Sequence, residues 1–381
     1  MGSRKAGNAQ NDSEWAQDDS TQGFSASAKA VPFLQPHASG IGNAGHLHCS
    51  IQEECEMSES LSRREFLQVS SAAAWVAGSV PLSAHAAPPT PAREPYRGTF
   101  CLFSNPVPHL SWPELAQSAK RAGFGGIDLT VRREGHVLPK NVVEDLPKAV
   151  AIIRGEGMEV PMITTELLTA DDPTADPILS TAGKLSIPVI KPGYYHYKFV
   201  DVRKELEEAG AQFRTLVDLA HRHGVQVGFH NHSGYIGAPV WDIAEVMDPL
   251  DPKAAGYYFD LAHATIEGGL GGWRISSNLI MPRLKMISAK DFYWDKDGAR
   301  DWRIRTCPFG EGMCHWKEYL KTVAASNFHG LISYQLEYEI EGVSDDQGRA
   351  LSRDKCDVVM ASATKDLAAL KALVREAYEG A

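Results

Sequence analysis

The chain reads as a single-domain α/β protein, a (β/α)8 TIM barrel. Three observations carry that expectation. Eight short β-branched runs alternate with eight helical patterns over about 290 residues, the count for such a barrel. Glycine stands just past three of the helical patterns, at Ala122-Gly123, Glu156-Gly157 and His223-Gly224, each shortly before the next strand, where a left-handed cap ends a helix. The turn after the first strand, Ser104-Asn105-Pro106-Val107-Pro108, lacks the glycines that a doubly wound, nucleotide-binding sheet needs there.

The elements follow in order. Residues 1–56 are rich in Gly, Ser, Asn, Gln and Asp and hold no sustained apolar period, so they read as a disordered extension. Residues 57–86 read as a twin-arginine signal peptide. Ser62-Arg63-Arg64-Glu65-Phe66-Leu67-Gln68 precedes a modest apolar run, Val69 to Leu82, which ends in Ala84-His85-Ala86. Met57 stands just ahead of the arginines and reads as the initiator, which makes residues 1–56 a mis-called start or a rare long leader. Residues 87–98 are a Pro-rich linker, and 99–381 the barrel domain.

Within that domain the expected strands are Thr99–Ser104, Gly126–Val131, Val160–Thr165, Val189–Pro192, Gln226–Asn231, Ala255–Asp260, Lys285–Lys290 and Leu331–Glu337. The expected helices are Ser111–Ala122, Val142–Glu156, Thr174–Leu185, Val202–His223, Val240–Met247, Arg274–Asn278, His315–Ser326 and Ser362–Tyr378.

Composition narrows the function. Of 381 residues, 38 are basic and 48 acidic, a formal net charge of −10, which disfavours binding to phosphate backbones. The six cysteines form no CxxC pair. Cys307 and Cys314 flank a Gly-rich loop, and the sequence alone leaves open whether they pair. The leader implies the twin-arginine export machinery as a partner and a periplasmic or secreted protein.

A barrel places its chemistry at the C-terminal ends of the strands, on inward-pointing residues. Because side chains alternate, parity selects the candidates. On strand two Asp128, Thr130 and Arg132 point in, and on strand five His230 and His232. Asp260 tops strand six, with His263 in the loop beyond. Ser288 and Lys290 share a face of strand seven, and Ser333, Gln335 and Glu337 of strand eight. Glu166 follows strand three on the inward parity, and His136 lies in the loop after strand two. Tyr293, Trp294 and Trp302 suit either stacking on a sugar or covering the barrel's end.

The ordered motifs Phe229-His230-Asn231-His232-Ser233-Gly234, Phe259-Asp260-Leu261-Ala262-His263, Lys290-Asp291-Phe292, Pro308-Phe309-Gly310-Glu311-Gly312-Met313 and Leu336-Glu337-Tyr338 resemble the sugar phosphate isomerase/epimerase family, with its xylose isomerase-like TIM barrel. The resemblance spans roughly residues 99–340. It implies a divalent metal at the barrel mouth, a carbohydrate substrate, proton transfer beside a carbonyl, and a homo-oligomer. The family's strand-six Asp falls on Asp260, its companion His on His263 and its strand-eight Glu on Glu337. Two positions depart: the strand-five Glu is His230, and the strand-seven His is Ser288 in Ser288-Ala289-Lys290-Asp291.

The implied metal set is therefore His230, Asp260 and Glu337, with His230 or His232 supplying nitrogen, and it suits Mn, Mg, Co or Zn alike. Lys290 would stabilise the oxyanion, Glu337 or Glu166 would act as base, and His232, His263, Arg132 and His136 would contact substrate. The first step is common to an isomerase, an epimerase and a lyase or dehydratase. The export address favours a free sugar, keto-sugar or oxidised glycoside over a phosphate. A non-catalytic sugar-binding barrel and a metal-dependent nuclease are the readings of other classes.

Overall fold

The structure is a computed structural model and describes residues 94–298 and 301–380. The extension, the export leader and most of the linker lie outside the described residues. Among the described residues no helix is long and apolar enough to cross a membrane.

Eight parallel strands close into a barrel: β1 (Phe100–Phe103), β2 (Gly126–Val131), β3 (Glu159–Thr165), β4 (Val189–Lys191), β5 (Gln226–His230), β6 (Ala255–Asp260), β7 (Leu284–Ala289) and, after an inserted hairpin, β10 (Leu331–Tyr334), which pairs with both β7 and β1. The helices are α1 (Trp112–Ala122), α2 (Val142–Gly155), α3 (Ala175–Lys184), α4 (Val202–Arg222), α5 (Trp241–Met247), α6 (Leu261–Ile280), α7 (Trp316–Ala325) and α8 (Cys356–Glu379).

Local chemistry explains the alternation. At the start of α1 the Ser111 backbone N–H donates to Glu114 Oε2 at 2.8 Å, inside a capping box. The helix stops at Gly123, whose φ of 90° no side-chain-bearing residue adopts cheaply. α4 buries Ala209, Phe213, Leu216, Val217 and Ala220, one stripe at helical spacing. β2 is buried on both faces, as expected of a parallel strand covered by helices.

The main core lies between strands and helices. A second, small apolar cluster inside the barrel holds Met162, Val189, Tyr258 and Met286, with Leu331 against it. Gly228 makes room for that plug, since a Cβ there would sit 2.0 Å from Met286 Cε. The polar strand-end residues stand above this apolar floor.

Several expectations need correction. β10 ends at Tyr334, not Glu337. α6 begins at Leu261, not Arg274; its glycines hid the pattern, and Gly269 (φ 56°, ψ −151°) breaks its regularity. α8 begins at Cys356, six residues early. An antiparallel hairpin, β8 (Asp291–Asp297) and β9 (Asp301–Cys307), fills the loop after β7, paired from Asp291↔Cys307 onward. Cys307 and Cys314, left open by the sequence, are free thiols and form no bridge.

Candidate active site

The site is built where β5, β6, β7 and β10 end. Asp260 is the last residue of β6 and also caps α6, its Oδ1 accepting from the His263 backbone N–H at 2.9 Å. That double duty sets Asp260 and His263 on one side of the strand end. Asn231 holds the neighbouring end in register: its side-chain amide donates to the Asp260 carbonyl at 3.0 Å, and its Oδ1 accepts from the Asp260 N–H at 2.8 Å.

Asp260 Oδ2 is the focus. Ser288 Oγ donates to it at 2.7 Å. His230 Nε2 stands 3.3 Å away, Lys290 Nζ 3.4 Å and His263 Nε2 3.8 Å. Burial alone would raise this carboxyl, but the interactions around it, led by the Lys290 ammonium, outweigh that and hold Asp260 well below the usual carboxylate range. Lys290 also donates to Glu337 Oε2 at 2.6 Å. Burial works against its ammonium, yet Asp260 and Glu337 together push its pKa above the ordinary value.

The histidines are neutral for a common reason, loss of water. Burial lowers His230 to about 4 and takes His232 and His263 well below the ordinary imidazole value. His232 Nδ1 lies 3.0 Å from the Ser233 carbonyl oxygen, which can only accept. The proton therefore sits on Nδ1, and Nε2 is left as an acceptor. His230 Nδ1 meets the Tyr194 hydroxyl at 3.1 Å, and His263 Nδ1 meets Ser233 Oγ at 3.0 Å.

One donor atom from each of His230, Asp260 and His263 lies within 4.8 Å of the others. Both imidazoles are anchored through Nδ1 by hydroxyls, the outer support that ligating histidines use. His263 Nε2 is buried and has no hydrogen-bond partner among the described residues. Neutral rings, an ionised carboxylate and an orphaned nitrogen facing them fit a divalent ion.

A cavity of about 230 Å³ opens above this group, lined by Arg132, Lys191, His232, His263, Lys290 and Glu337 among others. His230 and Asp260 lie one contact further in. The structure thus brings together seven of the nine residues singled out in the sequence. Glu337 does not join the three donor residues: its Oε2 is engaged by Lys290, and His263 stands in the third place.

Glu166 and His136 lie apart from the cavity. Glu166 has inward parity, but β3 ends at Thr165; beyond it the chain turns, and the exposed Glu166 accepts from the Arg133 N–H at 3.2 Å. His136 folds back on β2, with Nδ1 3.2 Å from Thr130 Oγ1, and burial lowers it to about 4.

Two residues, Lys191 and Tyr194, escaped sequence reasoning, and two that it named, Ser288 and Gln335, take parts it did not give them. Lys191 ends β4 on the same face as Val189, so parity alone would have found it. Its ammonium stands 3.4 Å from the centre of the Tyr194 ring. Tyr194 lies in a turn with no periodic signal. Ser288 looked like a lost ligand but donates to Asp260. Gln335, read only as inward, donates to the Tyr258 hydroxyl at 2.9 Å and leaves Oε1 without a partner.

Comparison with known proteins agrees with this architecture. Residues 116–358 match the family model described as the xylose isomerase-like TIM barrel. No curated protein matches the chain. Among solved structures, the D-psicose 3-epimerase of Clostridium cellulolyticum H10 with D-tagatose superposes at TM-score 0.53 and 12% identity, over 73% of this chain and 99% of that one. An L-ribulose 3-epimerase gives 0.56 and 14%, over 74% and 95%. The 3-keto-D-glucoside 4-epimerase of E. coli, in its apo form, gives 0.53 and 15%, over 72% and 99%. At these identities the likeness is one of fold.

Proposed function

The chain belongs to the xylose isomerase-like TIM barrel family, and from that premise we propose that it is a sugar isomerase or epimerase that moves a proton beside the carbonyl of a free sugar or keto-sugar. The observation that carries the reading is the Lys290–Glu337 pair at 2.6 Å, lining the cavity beside Asp260. A cation and a carboxylate in contact are what removal of a carbon-bound proton needs: one group to take the proton, one to hold the charge left on oxygen.

Glu337 is the base in this reading. Lys290 engages Oε2, and among the described residues no group engages Oε1. Lys290 holds the developing oxyanion. A unit charge pair 4 Å apart is worth about 4 kcal/mol at an effective dielectric of 20, enough to change a rate by roughly a thousandfold. Asp260 and Ser288 keep that lysine and its surroundings in place.

His232 is the second proton carrier, because its Nε2 is an acceptor. It follows β5, three strands from β10 around the ring of eight, so the two carriers approach a bound sugar from different sides. Return of the proton on the opposite face gives an epimer, and on the neighbouring carbon an isomer. His230, Asp260 and His263 would hold a divalent ion, which would supply Lewis-acid charge to the developing oxyanion.

The substrate is a free sugar because the Ser62-Arg63-Arg64 leader supports export away from the sugar phosphate pools of the cytoplasm. The periplasm or the exterior is accordingly the assigned location. Neighbouring folds named as 3- and 4-epimerases support the reaction class without naming this chain's sugar.

Proton NMR in deuterated buffer with a panel of keto-sugars, divalent ion supplied, tests the reading. Deuterium enters at the carbon beside the carbonyl, and Glu337→Gln slows that entry at least a hundredfold while the circular dichroism spectrum stays unchanged. No deuterium uptake from any sugar sinks the reading.

A further inference from the structure

We propose that the sugar carries an acidic terminus, a carboxylate, and that Arg132 receives it. The proposal rests on the isomerase or epimerase reading and names the class of substrate within it.

Arg132 follows β2 and lines the cavity. Its Nη2 donates to Asn105 Oδ1 at 2.6 Å, and its guanidinium lies 5.7 Å from the centre of the Phe103 ring. An arginine has five N–H donors. Among the described residues no carboxylate forms an ion pair with Arg132. The guanidinium is therefore propped, by an amide on one side and a ring on the other, with most of its fork unspent.

Of the three carboxylates that line the cavity, Glu337 and Asp291 are committed elsewhere, and the exposed Asp346 forms no ion pair with Arg132. Glu337 is held by Lys290 at 2.6 Å. Asp291 accepts the backbone N–H groups of Phe292, Gly310 and Cys314 at 2.9, 3.1 and 3.1 Å. A half-buried guanidinium without a counter-ion is unfavourable unless something supplies one, and the cavity beside it is where a ligand lies. A planar fork also suits a carboxylate better than a hydroxyl, through two parallel hydrogen bonds.

The barrel's order gives the orientation. Around the ring β1-β10-β7-β6-β5-β4-β3-β2, β3 and β7 stand opposite each other. Arg132 after β2 and Lys191 on β4 flank β3, making one wall basic. Lys290 after β7 and Glu337 after β10 lie across the cavity. A keto-sugar acid spans it with the carboxylate on Arg132 and the carbonyl end on Lys290 and Glu337.

The test compares D-fructuronate, D-fructose and D-fructose 6-phosphate by calorimetric titration of the full chain, with divalent ion present throughout. The expected result is that fructuronate binds at least tenfold more tightly than fructose. Arg132→Gln removes that preference, and Arg132→Lys, which keeps the charge but not the fork, restores part of it. Phosphate binding more tightly than carboxylate, with equal dependence on Arg132, would support the anion site but overturn the carboxylate as its occupant. Equal affinity for acid and neutral sugar overturns the proposal, and so does an acid preference that survives Arg132→Gln, since chelation of the ion would then explain it. Deuterium exchange on the same three sugars separates the two levels: exchange without acid preference leaves the reaction class standing, and acid preference without exchange leaves only the binding site.

Discussion

Asp128 is buried completely and, among the described residues, accepts side-chain hydrogen bonds only from hydroxyls, Thr164 Oγ1 at 2.7 Å and Ser333 Oγ at 2.9 Å. Burial raises its carboxyl to about 6 against those two bonds and the pull of Lys191. The folded state therefore binds this proton more tightly than the unfolded chain, with its ordinary value of 3.8. The contribution to stability is present below pH 4 and is lost as the pH rises to about 6. Asp128→Asn keeps an acceptor and removes the charge. Relative to wild type, the variant should gain up to about 3 kcal/mol between pH 4 and pH 7. Urea unfolding of both chains at four pH values across that range checks it, and a difference that does not vary with pH would contradict it. At this scale the sequence was informative because alternation is a property of the backbone. Asp128, His230, Asp260, Ser288 and Ser333 all point inward as their parity requires. Parity carries no information past the last hydrogen-bonded residue, which is why Glu166, one residue beyond β3, was misplaced. The choice between Glu337 and His263 as third donor depended on how Asp260 caps α6, a contact that no spacing announces.

Elements show a different mixture. The barrel strands are recognisable because β-branched runs between capped helices have few other uses. The β8–β9 hairpin was invisible because it alternates between two wet or half-wet faces: Trp302 is well exposed, Trp294 and Tyr293 less so, and charged residues lie between them. Such a ribbon lacks the apolar face that marks a strand. α8 is the last element to close the ring, and a buried carboxylate helps to fasten it, beside the bonds of Lys371 to the Gly123 carbonyl and of Tyr378 to the Phe328 carbonyl. Asp366 accepts from the Tyr334 and Tyr338 hydroxyls at 2.7 and 3.1 Å and from the Phe309 N–H at 3.1 Å. Asp366→Ala strands three buried donors and should cost about 3 kcal/mol. Tyr338→Phe, which removes one donor and leaves the carboxylate two partners, should cost about 1 kcal/mol. Denaturant midpoints measure both, and equal losses would mean that the network does not act through Asp366.

Across the whole molecule, His230 comes from β5, Asp260 from β6 and His263 from the first turn of α6, so the three donors converge only when β5 and β6 are paired and α6 has begun. An ion that needs all three binds the folded chain alone and shifts its melting by mass action, about 2.7 kcal/mol at a hundred times its dissociation constant. Two nitrogens and one oxygen favour zinc or cobalt over magnesium. Zinc should raise the melting temperature of the dialysed chain well above magnesium at equal concentration, and His263→Gln should reduce zinc retention through gel filtration at least tenfold. Equal effects of the two ions would count against this donor set. The hairpin adds a mechanical consequence. Its first residue, Asp291, is bonded directly to Lys290, while Ile304 and Thr306 on its return strand border the cavity. The wall that borders the cavity and the ammonium that faces into it are therefore joined by a single peptide unit, so where the ribbon sits and where the charge sits are fixed together.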